Sequence, residues 1–246
     1  MHVIMKIGKL LKQDLQMTKW FITGVLVLLS SLLMGQSMDL GQRTNLELRY
    51  RINKKSNVDF SYRLDLKENM SQFRRSNFSF SYDRKVLKWL NYQLYYRFIT
   101  NNKQDEHRFR AAISADKKIY RKTKLEFRTL LQHDINYFDG DYLRSYKPQY
   151  VWRNKIKLSR KLTKRWAAQL YTEPFISQNH KGFHPYRIRT GTSLSYEKKR
   201  WKYSLEYFYQ HEFFFETSGL HVIDLAIRYD LTRLIRPKKK NKKSKK

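Results

Sequence analysis

Alternation of large apolar and polar side chains is the feature that most limits what this chain can fold into. In the segment GTSLSYEKKRWKYSLEYFYQH (191–211), apolar residues occupy every second position on both sides of a charged cluster. Successive side chains of a β-strand point to opposite faces, so this pattern predicts two-faced strands. It recurs along the chain and predicts strands near residues 44–52, 57–66, 74–83, 89–99, 106–115, 123–133, 149–159, 165–175, 185–197, 201–211 and 220–231.

The apolar faces of these strands are wide, continuous and rich in tyrosine, as in Leu90/Tyr92/Leu94/Tyr96/Phe98. A transmembrane β-strand needs about 9–11 residues, and the predicted strands have that length. We therefore expect the apolar face to meet lipid. A soluble β-sandwich and a periplasmic lipocalin-like barrel also alternate and stay open as alternatives, but soluble barrels turn their apolar face inward.

Two kinds of connection alternate between the strands: short basic turns such as EKKR (197–200), and longer mixed loops such as 134–148. This is typical of a barrel with short periplasmic turns and longer outer loops. We predict a transmembrane antiparallel up-and-down β-barrel of 10–12 strands, with 12 favoured because bacterial barrels of this kind have even strand numbers. Tryptophans near the strand ends predict a girdle at the membrane interface, formed by Trp89, Trp152, Trp166 and Trp201.

The N-terminal segment MTKWFITGVLVLLSSLLMGQS has a basic start, a short apolar run and small residues near its end. This is the pattern of a cleaved secretory signal peptide, with an uncleaved signal anchor as the alternative and Met17 as a second candidate start. We predict a signal peptide over 1–37, a barrel over 38–231 and a basic, disordered periplasmic tail over 232–246. An exported barrel of this kind is expected in the outer membrane.

The formal net charge of +31 indicates a polyanionic partner. We expect lipopolysaccharide and phospholipid of the outer membrane as partners, together with the outer-membrane assembly machinery. Nucleic-acid binding is the rival interpretation of the charge, but the export signal argues against it. The chain has no cysteine, which excludes disulfides, thiolate metal sites and a cysteine nucleophile.

Four segments of the C-terminal third carry a family resemblance: EPF (173–175), RIRTGTSLSY (187–196), LEYFYQ (205–210) and HVIDLAIRYDL (221–231). They resemble domain-of-unknown-function family 2490, whose members are regarded as outer-membrane β-barrels of Gram-negative bacteria. The resemblance implies the same fold and location for this chain. It implies no activity and no catalytic residue. The basic end after Leu231 departs from the terminal aromatic residue of many outer-membrane proteins.

The polar faces of the strands carry many arginines, and acidic residues fall on the same faces. This arrangement has two interpretations. A ladder of lumenal ion pairs would fill a small barrel, since buried charges need partners. Alternatively, a positive lumen would attract anions. The candidate anion site comprises Arg153, Lys155 and Lys157, which have no acid beside them on their own strand, and Arg187 and Arg189.

Histidines fall near the predicted outer strand ends, where some outer-membrane lipid hydrolases and acyltransferases place a histidine with a serine. They are His107, His133, His184, His211 and His221, with Ser177 and Ser218 in the neighbouring loops. No local motif supports catalysis, and we predict no catalytic residue, metal or cofactor. The expected function is structural or that of a small, porin-like pore that prefers anions. The alternative is a surface lipid-modifying enzyme.

Overall fold

The computed structural model describes residues 39–101, 105–137, 150–179, 182–213 and 219–232. The predicted signal peptide (1–37) and the tail beyond Thr232 lie outside these residues. Eleven strands are present in the described part of the chain: β1 (Asp39–Arg51), β2 (Ser56–Lys67), β3 (Gln72–Lys85), β4 (Leu90–Thr100), β5 (Asp105–Tyr120), β6 (Thr123–Tyr137), β7 (Tyr150–Lys161), β8 (Trp166–Asn179), β9 (Gly182–Lys198), β10 (Trp201–Glu212) and β11 (Gly219–Asp230).

The strands form one closed up-and-down barrel, in which each strand pairs antiparallel with the next along the chain. The first and last strands close it in parallel, with Leu46 opposite Ile227 and Leu48 opposite Tyr229. The all-β class, the barrel and the range of 10–12 strands are confirmed, whereas the favoured number of 12 is wrong. An odd number of meandering strands leaves β1 and β11 pointing the same way, so parallel pairing closes the barrel without a twelfth strand.

The wall of the barrel is apolar outside and polar inside. Outward residues such as Phe60, Leu94 and Ile113 are 48%, 52% and 54% exposed, while the inward Asp65 and Glu173 are each 2% exposed. Exposing so many large apolar side chains to water would be strongly unfavourable, because each fully buried one contributes about 1.5–3 kcal/mol. The outer face is therefore built for lipid, and the protein is a membrane β-barrel.

The two ends of the barrel differ in their connections. We call the end joined by residues 52–55, 86–89, 121–122, 162–165 and 199–200 the turn rim, and the opposite end the loop rim. In the tight turn between β9 and β10, Lys199 adopts a left-handed conformation with φ of 57°. Because the strand number is odd, β1 begins at the loop rim and β11 ends at the turn rim.

The lumen holds a small apolar cluster among its polar groups. Tyr171, Phe208 and Val222 are buried together, and Leu220 packs against them. Gly191 makes room for this cluster, since a Cβ atom there would lie 2.6 Å from the Cβ of Phe208 and 2.9 Å from the Tyr171 ring. Side chains therefore occupy much of the lumen, as expected for a small barrel.

Candidate functional site: the cationic lumen

The charged residues predicted to share one strand face all point into the barrel. Their inward position follows from the registers, in which Arg49 lies opposite Asp59 and Glu206 lies opposite Asp224. Many form ion pairs between neighbouring strands, including Arg49 with Asp59 at 2.6 Å. The predicted ladder of lumenal ion pairs is present in the described residues.

One cluster gathers three guanidinium groups around a single buried carboxylate. Asp65 lies 2.7 Å from Arg75, 3.2 Å from Arg63 and 3.8 Å from Arg43. The side chain of Arg43 is only 8% exposed, and its guanidinium lies 4.8 Å from the centre of the Phe208 ring. Arg43 lies one residue before the predicted start of the first strand and was therefore not among the predicted lumenal residues. It could have been predicted by extending the strand towards the N-terminus, because Arg43, Asn45 and Glu47 alternate onto the same inward face.

A second cluster contains most of the predicted anion site. Arg153 and Arg189 approach Glu173 at 2.8 and 3.8 Å, and both guanidiniums lie over the Phe175 ring. The Arg187 guanidinium lies 5.5 Å from the centre of that ring. Three cations predicted from the sequence therefore converge on one aromatic side chain.

The two lysines of the predicted site lie elsewhere on β7. Lys155 places its Nζ atom 3.5 Å from the centre of the Tyr171 ring, and Lys157 pairs with Glu126 at 2.8 Å. The sequence of β7 places no acid beside these cations, but carboxylates reach Arg153 and Lys157 from the adjacent strands β8 and β6. These two ion pairs form across strands, so only the register reveals the partners.

On the adjacent strands β4, β5 and β6, three lumenal arginines lack a carboxylate partner among the described residues: Arg97, Arg110 and Arg128. Arg97 donates to Ser79 Oγ at 2.8 Å, and Arg110 donates to Gln132 Oε1 at 3.0 Å. Arg128 lies 5.8 Å from the centre of the Tyr95 ring. We call these three the carboxylate-free arginine set.

Several buried guanidinium nitrogens have no hydrogen-bond acceptor in the described part of the chain. They are the Nε atoms of Arg128, Arg187 and Arg189. Buried donors are normally paired, and a guanidinium carries five N–H donors. These groups can therefore donate to an anion or to water that enters the lumen.

The rim histidines separate into two groups. His107 and His221 face outward and contact tyrosine hydroxyls, with Nδ1 of His107 2.8 Å from Tyr96 Oη. His133 stacks on Tyr150 with ring centres 4.4 Å apart, and His211 packs edge-on against Phe213. These four sites have the amphipathic surroundings of a membrane interface.

His184 differs, because its Nε2 atom lies 2.9 Å from Ser177 Oγ at the loop rim. Ser177 is buried at 3% exposure. Ser218 lies outside the described residues. No group of three or more His, Asp or Glu residues in the described segments could hold a metal ion.

Three of the four girdle tryptophans lie at the turn rim. Trp89 directly precedes β4, and Trp166 and Trp201 begin β8 and β10, with exposures between 41% and 52%. Trp152 is the third residue of β7 and lies near the loop rim, where its Nε1 donates to Thr129 Oγ1 at 2.6 Å. Across the residues that the structure describes, no helix is long and apolar enough to span a membrane.

Comparisons with known proteins identify one protein family and several similar solved structures. A family model described as "Protein of unknown function (DUF2490)" matches residues 42–220. A KdgM porin in complex with disordered oligogalacturonate is 9% identical and covers 70% of this chain and 91% of its own, with a TM-score of 0.46.

A second solved structure, from work on the in-meso crystallization of membrane proteins, is 10% identical. It covers 74% of this chain and 79% of its own, with a TM-score of 0.39. At these scores neither similarity bears on function. No curated protein matches the chain.

Proposed function

We propose that this chain, which belongs to the family Protein of unknown function (DUF2490), is an outer-membrane barrel that acts as a small, anion-preferring pore. The observation that carries the proposal is the carboxylate-free arginine set, Arg97, Arg110 and Arg128. A positive lumen with low-dielectric walls raises the local concentration of anions and repels cations.

The packing of the lumen limits the size of the solutes. Inward groups such as Asp65, Glu106 and Glu173 are almost completely buried, at 2%, 1% and 2% exposure. Their arginine partners also lie inside the barrel and narrow the lumen. We therefore expect passage of inorganic anions and small carboxylates, with a conductance well below that of wide porins.

Planar-bilayer recording in a potassium chloride gradient tests this function. The wild-type barrel should show a reversal potential that indicates chloride preference. The variant R97Q/R110Q/R128Q should lose most of that preference, because its lumen has three fewer positive charges. The control K117Q/K118Q/R121Q removes the same charge from exposed residues of the β5–β6 hairpin and should keep most of it. A silent wild-type bilayer, or unchanged selectivity in the lumenal variant, would overturn the proposal.

The predicted export signal and the lipid-facing wall support the outer membrane as the location. In this setting the partners are lipopolysaccharide, phospholipid and the outer-membrane assembly machinery. Fractionation of cells that express the protein is the test. The barrel should appear in the outer-membrane fraction, without residues 1–37, and should migrate differently on a gel before and after boiling.

A second candidate function is a surface lipid-modifying enzyme, and the contact between Ser177 and His184 favours it. A histidine Nε2 at 2.9 Å from a serine hydroxyl can accept its proton as the serine attacks an ester carbonyl. The variant S177A should then abolish lipid turnover, while S193A, on the inward face of β9, should leave it intact. Equal turnover by wild type and S177A would remove this candidate.

A further inference from the structure

A groove of about 460 Å³ lies at the turn rim, beside the turn that joins β1 and β2. Its lining residues are Asn53, Lys54, Lys55, Ser56, Tyr82 and Arg84. Tyr82 and Arg84 follow Phe80 at every second position of β3, so their side chains also point outward and the groove opens on the outer wall. It therefore faces the membrane boundary and is separate from the lumen.

The groove is cationic. Lys54, Lys55 and Arg84 are all exposed, and no carboxylate lines the groove among the described residues. The nearest acid on β3, Asp83, points into the barrel, where it accepts a hydrogen bond from Asn57. Three cations without an acid partner favour an anionic ligand.

Groups that suit the ester region of a lipid lie beside the cations. Tyr82 donates from its hydroxyl to Ser56 Oγ at 3.3 Å, and its ring lies 6.0 Å from that of Tyr92. Tyrosine is favoured at membrane interfaces because its ring is apolar and its hydroxyl is polar. The groove thus lies at the level where headgroups meet acyl chains.

An apolar track continues from the groove towards the middle of the wall. Phe60, Phe80 and Leu94 are 48%, 49% and 52% exposed on the same outer face. Phe60 lies opposite Phe80 in the β2–β3 register, and Phe80 lies opposite Tyr96 in the β3–β4 register. Cations, hydroxyl groups and an apolar wall therefore follow one another in the order of phosphate, ester and acyl chain in a phospholipid.

We propose that this groove is a binding site for one anionic phospholipid of the leaflet at the turn rim. Lys54, Lys55 and Arg84 bind the headgroup phosphate, and Tyr82 and Ser56 contact the ester region. The site goes beyond the proposed pore, because it lies on the opposite side of the barrel wall. Its volume lies within the range of ligand pockets, roughly 300–1,000 Å³.

Native mass spectrometry of the folded barrel in neutral detergent tests the site, with phosphatidylglycerol as the probe. Each Lys or Arg near an anionic lipid surface adds about fivefold to binding. The variant K54Q/K55Q/R84Q should therefore retain phosphatidylglycerol roughly 100-fold more weakly than the wild type. The control K117Q/K118Q/R121Q, with the same charge change on another hairpin of the same rim, should retain it like the wild type.

Two competitors identify the ligand. Phosphatidylethanolamine, which has no net charge, should bind more weakly than phosphatidylglycerol, and excess inorganic phosphate should not displace the lipid. Equal losses in both charge variants would overturn the site in favour of general surface charge. Displacement by inorganic phosphate would overturn the lipid as ligand in favour of free phosphate.

Separate readouts distinguish this site from the pore and from misfolding. The groove variant should keep the heat-dependent gel shift of the wild type, which shows that it folds. It should also keep the wild-type reversal potential, because the groove lies outside the lumen. Loss of lipid retention with unchanged selectivity supports the site, and unchanged retention in a folded variant overturns it.

Discussion

At the scale of single residues, buried carboxylates hold the cationic lumen together. Asp65 has three arginines within ion-pair distance, and Glu173 has two. Removing one partner from a buried ion pair leaves uncompensated charge and costs about 3–5 kcal/mol. Exposed pairs contribute much less, about 0–1 kcal/mol, because water screens both charges.

We expect Asp65→Asn to destabilise the barrel by roughly 3 kcal/mol, since Arg43, Arg63 and Arg75 would lose their shared carboxylate. The control is Glu68→Gln, which breaks the exposed pair with Lys67 and should change little. The temperature at which the folded gel band disappears on heating reports both effects. Equal midpoints for the two variants would contradict the role of Asp65.

A glycine makes the second prediction at this scale. Gly191→Ala would place a Cβ atom 2.6 Å from the Cβ of Phe208 and 2.8 Å from the backbone oxygen of Tyr207. Overpacking of this kind typically costs about 1–3 kcal/mol. We expect a lower unfolding midpoint in urea for this variant than for Ser193→Ala, which changes an inward residue of the same strand without added volume. A wild-type midpoint for Gly191→Ala would show that the lumen is loosely packed.

At the scale of elements, the parallel pairing of β1 with β11 is the decisive contact. It joins segments that are far apart in the sequence, and the pair Arg228–Glu47 crosses it at 2.5 Å with a sequence separation of 181. Most other strand pairs are consecutive hairpins with shorter sequence separations. Closure is therefore the step with the largest loop-closure entropy.

Engineered cysteines test the closure directly, because the chain has none of its own. Thr44 lies opposite Leu225, so T44C/L225C should cross-link under oxidising conditions. The control T44C/Y229C moves one cysteine four residues along β11 and should not cross-link. Non-reducing gels after heating show the difference in mobility. No cross-link in T44C/L225C would indicate another strand between β1 and β11.

At the scale of the whole molecule, the two rims present different chemistry. The turn rim combines exposed lysines and arginines with Trp89, Trp166 and Trp201, while the outward His107 and His221 lie towards the loop rim beside Tyr96 and Tyr209. Because the periplasmic turns of outer-membrane barrels are short, we expect the turn rim to face the periplasm.

Labelling of intact cells with a membrane-impermeant maleimide tests that orientation. Ser71→Cys lies in the turn between β2 and β3 at the loop rim and should be labelled. Lys118→Cys lies near the end of β5 at the turn rim and should be labelled only after the outer membrane is permeabilised. The opposite result would invert the orientation and move the phospholipid groove to the outer leaflet.

The sequence by itself determined the features that depend on local period. The strand segments and their inward and outward faces follow from alternation with period two, which needs only neighbouring residues. The short basic turns are the residues between those segments. The pair Arg49–Asp59 could also be anticipated, because its partners lie ten residues apart in one hairpin. Strand ends were less well defined, since β5 runs to Tyr120, five residues beyond its predicted end.

Only the tertiary structure decided how the ends of the sheet meet and which cations keep free donors. Composition and period do not specify whether a meander closes after 11 or 12 strands, because closure depends on the geometry of the complete sheet. The carboxylates that reach Arg153 and Lys157 come from adjacent strands. Among the described residues, no neighbouring strand brings a carboxylate into ion-pair contact with Arg128. Those contacts are set by register, in which a shift of a single residue would exchange the lumenal and lipid-facing sides of a strand.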